Sequence, residues 1–231
     1  MKHTIKTLTV RLSDRIGEVE ALLLRPDAAE WLLVLAHGAG AGMRHPFMES
    51  LARELAACRI ATFRYQFPYM QQRRGRPDSP TVLTATVRAA VRTAAATAPH
   101  LPLLAGGKSL GGRMTSLALS EEAEGTGDPS PVRGLVFVGF PLHAPGRSGT
   151  ERAEHLARVM MPMLFLQGTR DKLADLTLLR PLCTRLGRRA TLHVVEGADH
   201  SFHMPKRSGR TDPEILRELA RTVELWAQGA G

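Results

Sequence analysis

Ser109 lies in the string Gly106-Gly107-Lys108-Ser109-Leu110-Gly111-Gly112, which holds the spacing G-x-S-x-G as Gly107, Ser109 and Gly111. Apolar Leu103 and Leu104 precede it, and Met114, Leu117 and Leu119 follow in a helix-like pattern. A strand that turns sharply into a helix at this point leaves the serine strained, with its hydroxyl above the sheet. Side chains at the flanking positions would collide, so glycine is required there. Such a serine does nucleophilic chemistry once a base takes its proton. The Gly-Lys-Ser triplet also occurs in phosphate-binding loops, but that motif needs a further glycine where Pro102 stands.

Two other segments supply the partners such a serine needs. Gly168-Thr169-Arg170-Asp171 follows an apolar run from Met163 to Gln167, and an acid at a strand end can orient a histidine ring. Asp175 is a second acidic candidate, but it reads as the N-cap of a helix over 175–186. Gly197-Ala198-Asp199-His200-Ser201-Phe202 follows the run Leu192 to Val195, so His200 sits on a loop from which it can reach the serine. The chain order is then Ser109, Asp171, His200. His203, His143 and His45 are weaker choices for the base.

A fourth segment, His37-Gly38-Ala39-Gly40-Ala41-Gly42, follows the run Trp31 to Ala36. Its small residues let backbone N–H groups approach a ligand. The residue after the nucleophile gives one oxyanion donor and this loop gives the other. That assigns Leu110 and Ala39 to the oxyanion hole, with Gly38 or Gly40 as replacements for Ala39. The spacing here is G-x-G-x-G, which does not meet the dinucleotide-binding fingerprint G-x-G-x-x-G. His37 reads as the residue that holds this loop.

Positioning these loops requires a series of strands and helices. Residues 4–12 and 19–26 read as a hairpin, and 31–36 as a strand buried on both faces. Further strands are expected at 60–67, 102–107, 133–140, 162–167 and 190–195, and helices at 46–57, 81–98, 110–120, 175–186 and 212–227. Asp212-Pro213 reads as the start signal of the last helix, an N-cap followed by proline. Residues 68–80 and 121–131 read as loops. This rhythm predicts an α/β fold with a mostly parallel sheet and helices on both faces, as one domain over residues 1–231. Ligands bind such sheets at the carboxyl ends of the strands.

Composition narrows the function classes. No apolar stretch near the N-terminus is long enough for a signal peptide, and no run approaches the ~20 residues of a membrane helix, so the chain reads as soluble and cytoplasmic. The two cysteines, Cys58 and Cys183, make neither a disulfide framework nor a metal site, and read as buried thiols. A net charge of +9 raises the question of nucleic acid, but no Lys/Arg block or basic stripe with aromatics accompanies it. No signal fixes an oligomeric state.

The strings HGAGAGM, FPYM, GGKSLGG, FPLHAPG, LQGTRD and GADHSF resemble the α/β-hydrolase superfamily over residues 30–205. More narrowly, they are similar to small dienelactone-hydrolase-like enzymes and to bacterial relatives of the testis-expressed protein thirty and NSL complex subunit three group. The resemblance implies an eight-stranded, mostly parallel sheet whose second strand is antiparallel, and a triad of Ser109, Asp171 and His200. Larger members carry a lid between the strands ending near Phe140 and starting near Pro162. This chain has room there for one short helix, Glu151 to Met160, so the lid is minimal or absent. Phe67, Tyr69, Met70 and His143 are then the expected walls of an open site.

The resulting expectation is a serine hydrolase that acts on a small carboxylester or thioester through an acyl-enzyme, with neither metal nor organic cofactor. Peptidase and carbon–carbon hydrolase chemistry share the same constellation. The rival from another class is a non-catalytic interaction protein on the same fold.

Overall fold

The computed structural model describes residues 2–122 and 130–229. The chain opens with β1 (His3–Ser13), β2 (Gly17–Pro26) and β3 (Trp31–Ala36), then α1 (Pro46–Ala57) and β4 (Ile60–Tyr65). Next come α2 (Pro68–Gln71), α3 (Pro80–Thr97), β5 (Leu103–Lys108) and α4 (Leu110–Glu122). After β6 (Val132–Val138), a 3-10 helix (Glu151–Arg158) leads to β7 (Met163–Gly168), α5 (Leu176–Leu186), β8 (Ala190–Val195) and α6 (Asp212–Gln228).

The eight strands form one open sheet in the order β1-β2-β4-β3-β5-β6-β7-β8. β2 runs antiparallel to both β1 and β4, and every pair from β4 to β8 is parallel. The eight-stranded sheet with an antiparallel second strand that the resemblance implies is therefore the one observed. β3 explains how the layers separate, because all six of its residues are buried. Leu32, Val34 and Ala36 face the layer of α3, α4 and α5, while Trp31, Leu33 and Leu35 face α1 and α6. Alternating side chains of a strand point to opposite faces, so a continuous apolar run feeds two cores.

β6 ends at Val138 rather than at 140, and three further expectations need correction. Residues 68–71 form the short helix α2 rather than loop, anchored by the Tyr69 N–H donating to Asp78 at 2.9 Å. β4 ends at Tyr65, two residues early, and the side chain of Gln66 beyond it accepts the Met43 N–H at 3.0 Å. The N-cap of α6 is Thr211, which forms a capping box with Glu214; Asp212 is instead drawn to His203 and to the Met204 N–H.

Residues 139–162 join β6 to β7 and hold only the 3-10 helix, so no lid domain is inserted there. Residues 123–129 of the loop expected at 121–131 lie outside the described residues. No described helix is long and apolar enough to cross a membrane. Among the described residues both cysteines are free: Cys183 is buried as expected, whereas Cys58 is half-buried. Burial pushes both thiols up to about 11.

Candidate active site

The turn from β5 into α4 puts Ser109 in the left-handed region, at φ 51°. A serine there is strained by about 1–2 kcal/mol and is held by its surroundings. Its N–H donates to the Val138 carbonyl at 3.1 Å, and its carbonyl accepts the Arg113 N–H at 3.1 Å. The flanking glycines are required by close approach. A Cβ at Gly107 would stand 2.4 Å from the Ala36 oxygen, and one at Gly111 would stand 2.6 Å from the oxygens of Ala36 and His37.

His200 joins the serine to the acid. Its Nε2 lies 2.9 Å from Ser109 Oγ, and its Nδ1 lies 2.7 Å from Asp171 Oδ2. A carboxylate only accepts, so the ring proton sits on Nδ1 and Nε2 is left to accept from the serine hydroxyl. The side chain of Asp171 is fully buried. Its Oδ1 accepts the Leu173 N–H at 2.8 Å, and its Oδ2 also accepts from the side-chain amide of Gln167. Gln167 is itself buried at the end of β7, and its Oε1 has no partner, so its amide orientation serves the carboxylate alone.

The turns carrying the acid and the base are bound to each other. The Thr169 N–H donates to the Val195 carbonyl at 3.1 Å and the Arg170 N–H to the Ala198 carbonyl at 2.9 Å. The Gly197 N–H donates to Thr169 Oγ1 at 2.8 Å. Asp199 shapes the histidine loop by accepting the N–H groups of Ser201 and His203. Asp175, the rejected acid, caps α5 by accepting the Thr177 N–H at 2.8 Å.

The glycine-rich loop is held from below. His37 is fully buried; its Nδ1 lies 2.8 Å from the Gly38 carbonyl and its Nε2 accepts the Phe67 N–H at 3.1 Å. That pattern fixes the neutral tautomer with the proton on Nδ1. Gln66 Oε1 accepts the Met43 N–H, and the buried Arg64 donates to the Met43 carbonyl. Among the described residues no hydrogen bond uses the Ala39 N–H. The Leu110 N–H opens α4 and belongs to the unsatisfied first turn of that helix. Both donors therefore remain available beside Ser109.

A cavity of about 410 Å³ lies over these groups. Gly38, Ala39, Ser109 and His200 line it, with Phe47, Met48 and Leu173 as its larger apolar walls. The walls expected from the sequence lie elsewhere. Phe67 and Tyr69 are fully buried, packed around the His37 ring at 4.9 and 6.0 Å between centroids. Met70 packs against the core beside them, and His143 lines separate cavities with Arg147 and Ser148. An aromatic loop after a strand reads as a pocket wall, but here it is consumed in supporting His37. Phe47 and Met48 were legible only as an amphipathic helix, and Gln167 only as the end of a strand.

A second serine–histidine pair, Ser116 and His155, is 2.7 Å apart and ties α4 to the 3-10 helix. Ser116 is fully buried, and the charged groups around the ring are Arg113 and Arg158 rather than an acid. It is an anchor for the connection that replaces a lid. Burial pushes both His37 and His155 down to about 4, against 6.5 for a free imidazole. Between those limits the unfolded chain binds protons that the folded protein refuses. Stability from the two neutral rings is thus complete above pH 6.5 and falls as pH drops toward 4, by roughly 3 kcal/mol per ring at full extent. Urea unfolding at pH 7 and pH 5 checks this: the wild type should lose stability at pH 5, and His155→Gln should lose less. Equal pH sensitivity of the two proteins contradicts it.

Comparison with known proteins supports the same reading of the fold. The family model described as alpha/beta hydrolase domain matches residues 29–228. A dienelactone hydrolase from Anabaena variabilis superposes with a TM-score of 0.76 at 19% identity, covering 99% of each chain. An alpha-beta serine hydrolase homologue from Coxiella burnetii gives 0.74 at 20% identity, covering 94% of this chain and 97% of that one. A Xanthomonas campestris protein described as an a/b serine hydrolase without lid gives 0.72 at 20% identity, covering 98% and 96%.

Proposed function

Because the chain belongs to the alpha/beta hydrolase family, we propose that it is a serine hydrolase acting on a small carboxylester or thioester through Ser109, His200 and Asp171. The observation that carries this reading is the unbroken path from Asp171 through His200 to Ser109, at 2.7 and 2.9 Å.

His200 Nε2 takes the hydroxyl proton as Ser109 Oγ attacks the carbonyl carbon. Asp171 keeps the ring in the tautomer that can accept, and stabilises the imidazolium that forms. The N–H groups of Leu110 and Ala39 receive the developing oxyanion, each worth roughly 3–4 kcal/mol. His200 then protonates the leaving group, and water activated by the same ring releases the acid. The apolar walls Phe47, Met48 and Leu173 suit a short acyl chain, and the absence of a lid leaves the entrance open.

Acetyl transfer from para-nitrophenyl acetate, followed by acid quench and peptide mapping, tests this reading. The expected result is one acetyl group on Ser109 and continuing release of nitrophenol. No acetylation, together with no turnover of esters or thioesters, would instead favour an interaction protein built on a hydrolase fold.

A further inference from the structure

Lys108 immediately precedes the nucleophile, and the steps above make no use of it. Its ammonium is buried and has no hydrogen-bond partner among the described residues. An unpaired buried polar group is costly, so its retention calls for a reason. Lys108 lines the cavity, and its Nζ is shut off from solvent. Lys108 Nζ at 3.1 Å and His200 Nδ1 at 3.4 Å both border the point where a Gly139 Cβ would stand, so the two nitrogens are at most about 6.5 Å apart. Gly139, at φ 69°, leaves that point open. The face of Phe202, 5.9 Å from Nζ, gives partial compensation.

We infer that Lys108 is a positioning residue that acts through His200, placing a positive charge near the ring where it opposes the imidazolium. The inference rests on the triad proposed above.

The electrostatic surroundings are few. Burial pushes the Lys108 ammonium down to about 8, while the carboxylates of Asp171 and Asp199 hold it up, so it is charged at and below neutral pH. Gly38 and Gly139 contribute no side chain. His37, on the loop that touches the Lys108 stem, is neutral and turned toward Phe67 and Tyr69. His200 Nδ1 thus has the Asp171 carboxylate in direct contact, with the Lys108 ammonium within about 6.5 Å and Asp199 as the acid next to His200 in the chain. The carboxylate favours the imidazolium and the ammonium disfavours it.

The test compares the pH dependence of fluorophosphonate labelling of Ser109 in the wild type, Lys108→Met and Lys108→Gln. Labelling needs the activated serine but no turnover, and the two variants guard against a folding failure of either one. In both folded variants the acid limb of the labelling rate should move up by about one pH unit. A limb that stays in place or moves down, in folded variants that label, overturns the role of Lys108 and leaves the triad standing. A wild type that takes no label at any pH overturns both.

Discussion

Ser109→Ala should fold as the wild type does and lose turnover by about a million-fold. The two bonds that hold the turn, to the Val138 carbonyl and from the Arg113 N–H, are made by the backbone and survive the substitution. The Cβ stays, so packing under Gly107 and Gly111 is unchanged. What disappears is one hydroxyl and its bond to His200, worth about 1 kcal/mol of stability. Thermal unfolding and ester turnover measured on the same preparation separate the two effects. A variant that still turns over at a tenth of the wild-type rate would mean that another group does the chemistry.

Asp171→Asn should reduce kcat by about ten-thousand-fold, and the hydrogen bonds around the acid show why. The Leu173 N–H donates to Oδ1, so the asparagine oxygen is drawn to that side. Its NH2 then faces His200 Nδ1, and Gln167 can accommodate it by flipping, because its Oε1 has no other partner. Nδ1 must now accept, which moves the ring proton to Nε2. That nitrogen would donate toward Ser109 instead of taking its proton. Binding of substrate should be little altered, so the loss falls on kcat rather than KM. A loss in KM alone would show that Asp171 shapes the pocket and leaves the ring untouched.

How much of this was legible in the sequence depends on how local each cause is. The elbow around Ser109 was readable because the requirement for Gly107 and Gly111 is steric and lies within a few residues. The alternation of strands and helices was readable because β3 and β7 are continuous apolar runs and α1 and α6 are amphipathic. Asp171 and His200 were readable as loop residues after strands, but their meeting depends on the stitched turns at Thr169 and Gly197, which join segments distant in the chain. The role of Lys108 was hidden for the same reason, since Gly139 and His200 reach it from distant segments, and that of Gln167 because its bond to Asp171 forms only once β7 has turned into the following loop. Phe67 and Tyr69 misled because loop aromatics suit a pocket equally well as a buried support. Asp212 misled as an N-cap because only the folded chain brings His203 and Met204 to it.

Labelling of the native protein with a fluorophosphonate, with mass mapping of the modified residue, tests the central claim most directly. The account predicts rapid formation of one adduct, on Ser109, and its loss in His200→Ala. Folded wild-type protein that forms no adduct, or forms it equally well without His200, would contradict the claim that Ser109, His200 and Asp171 work as one catalytic unit.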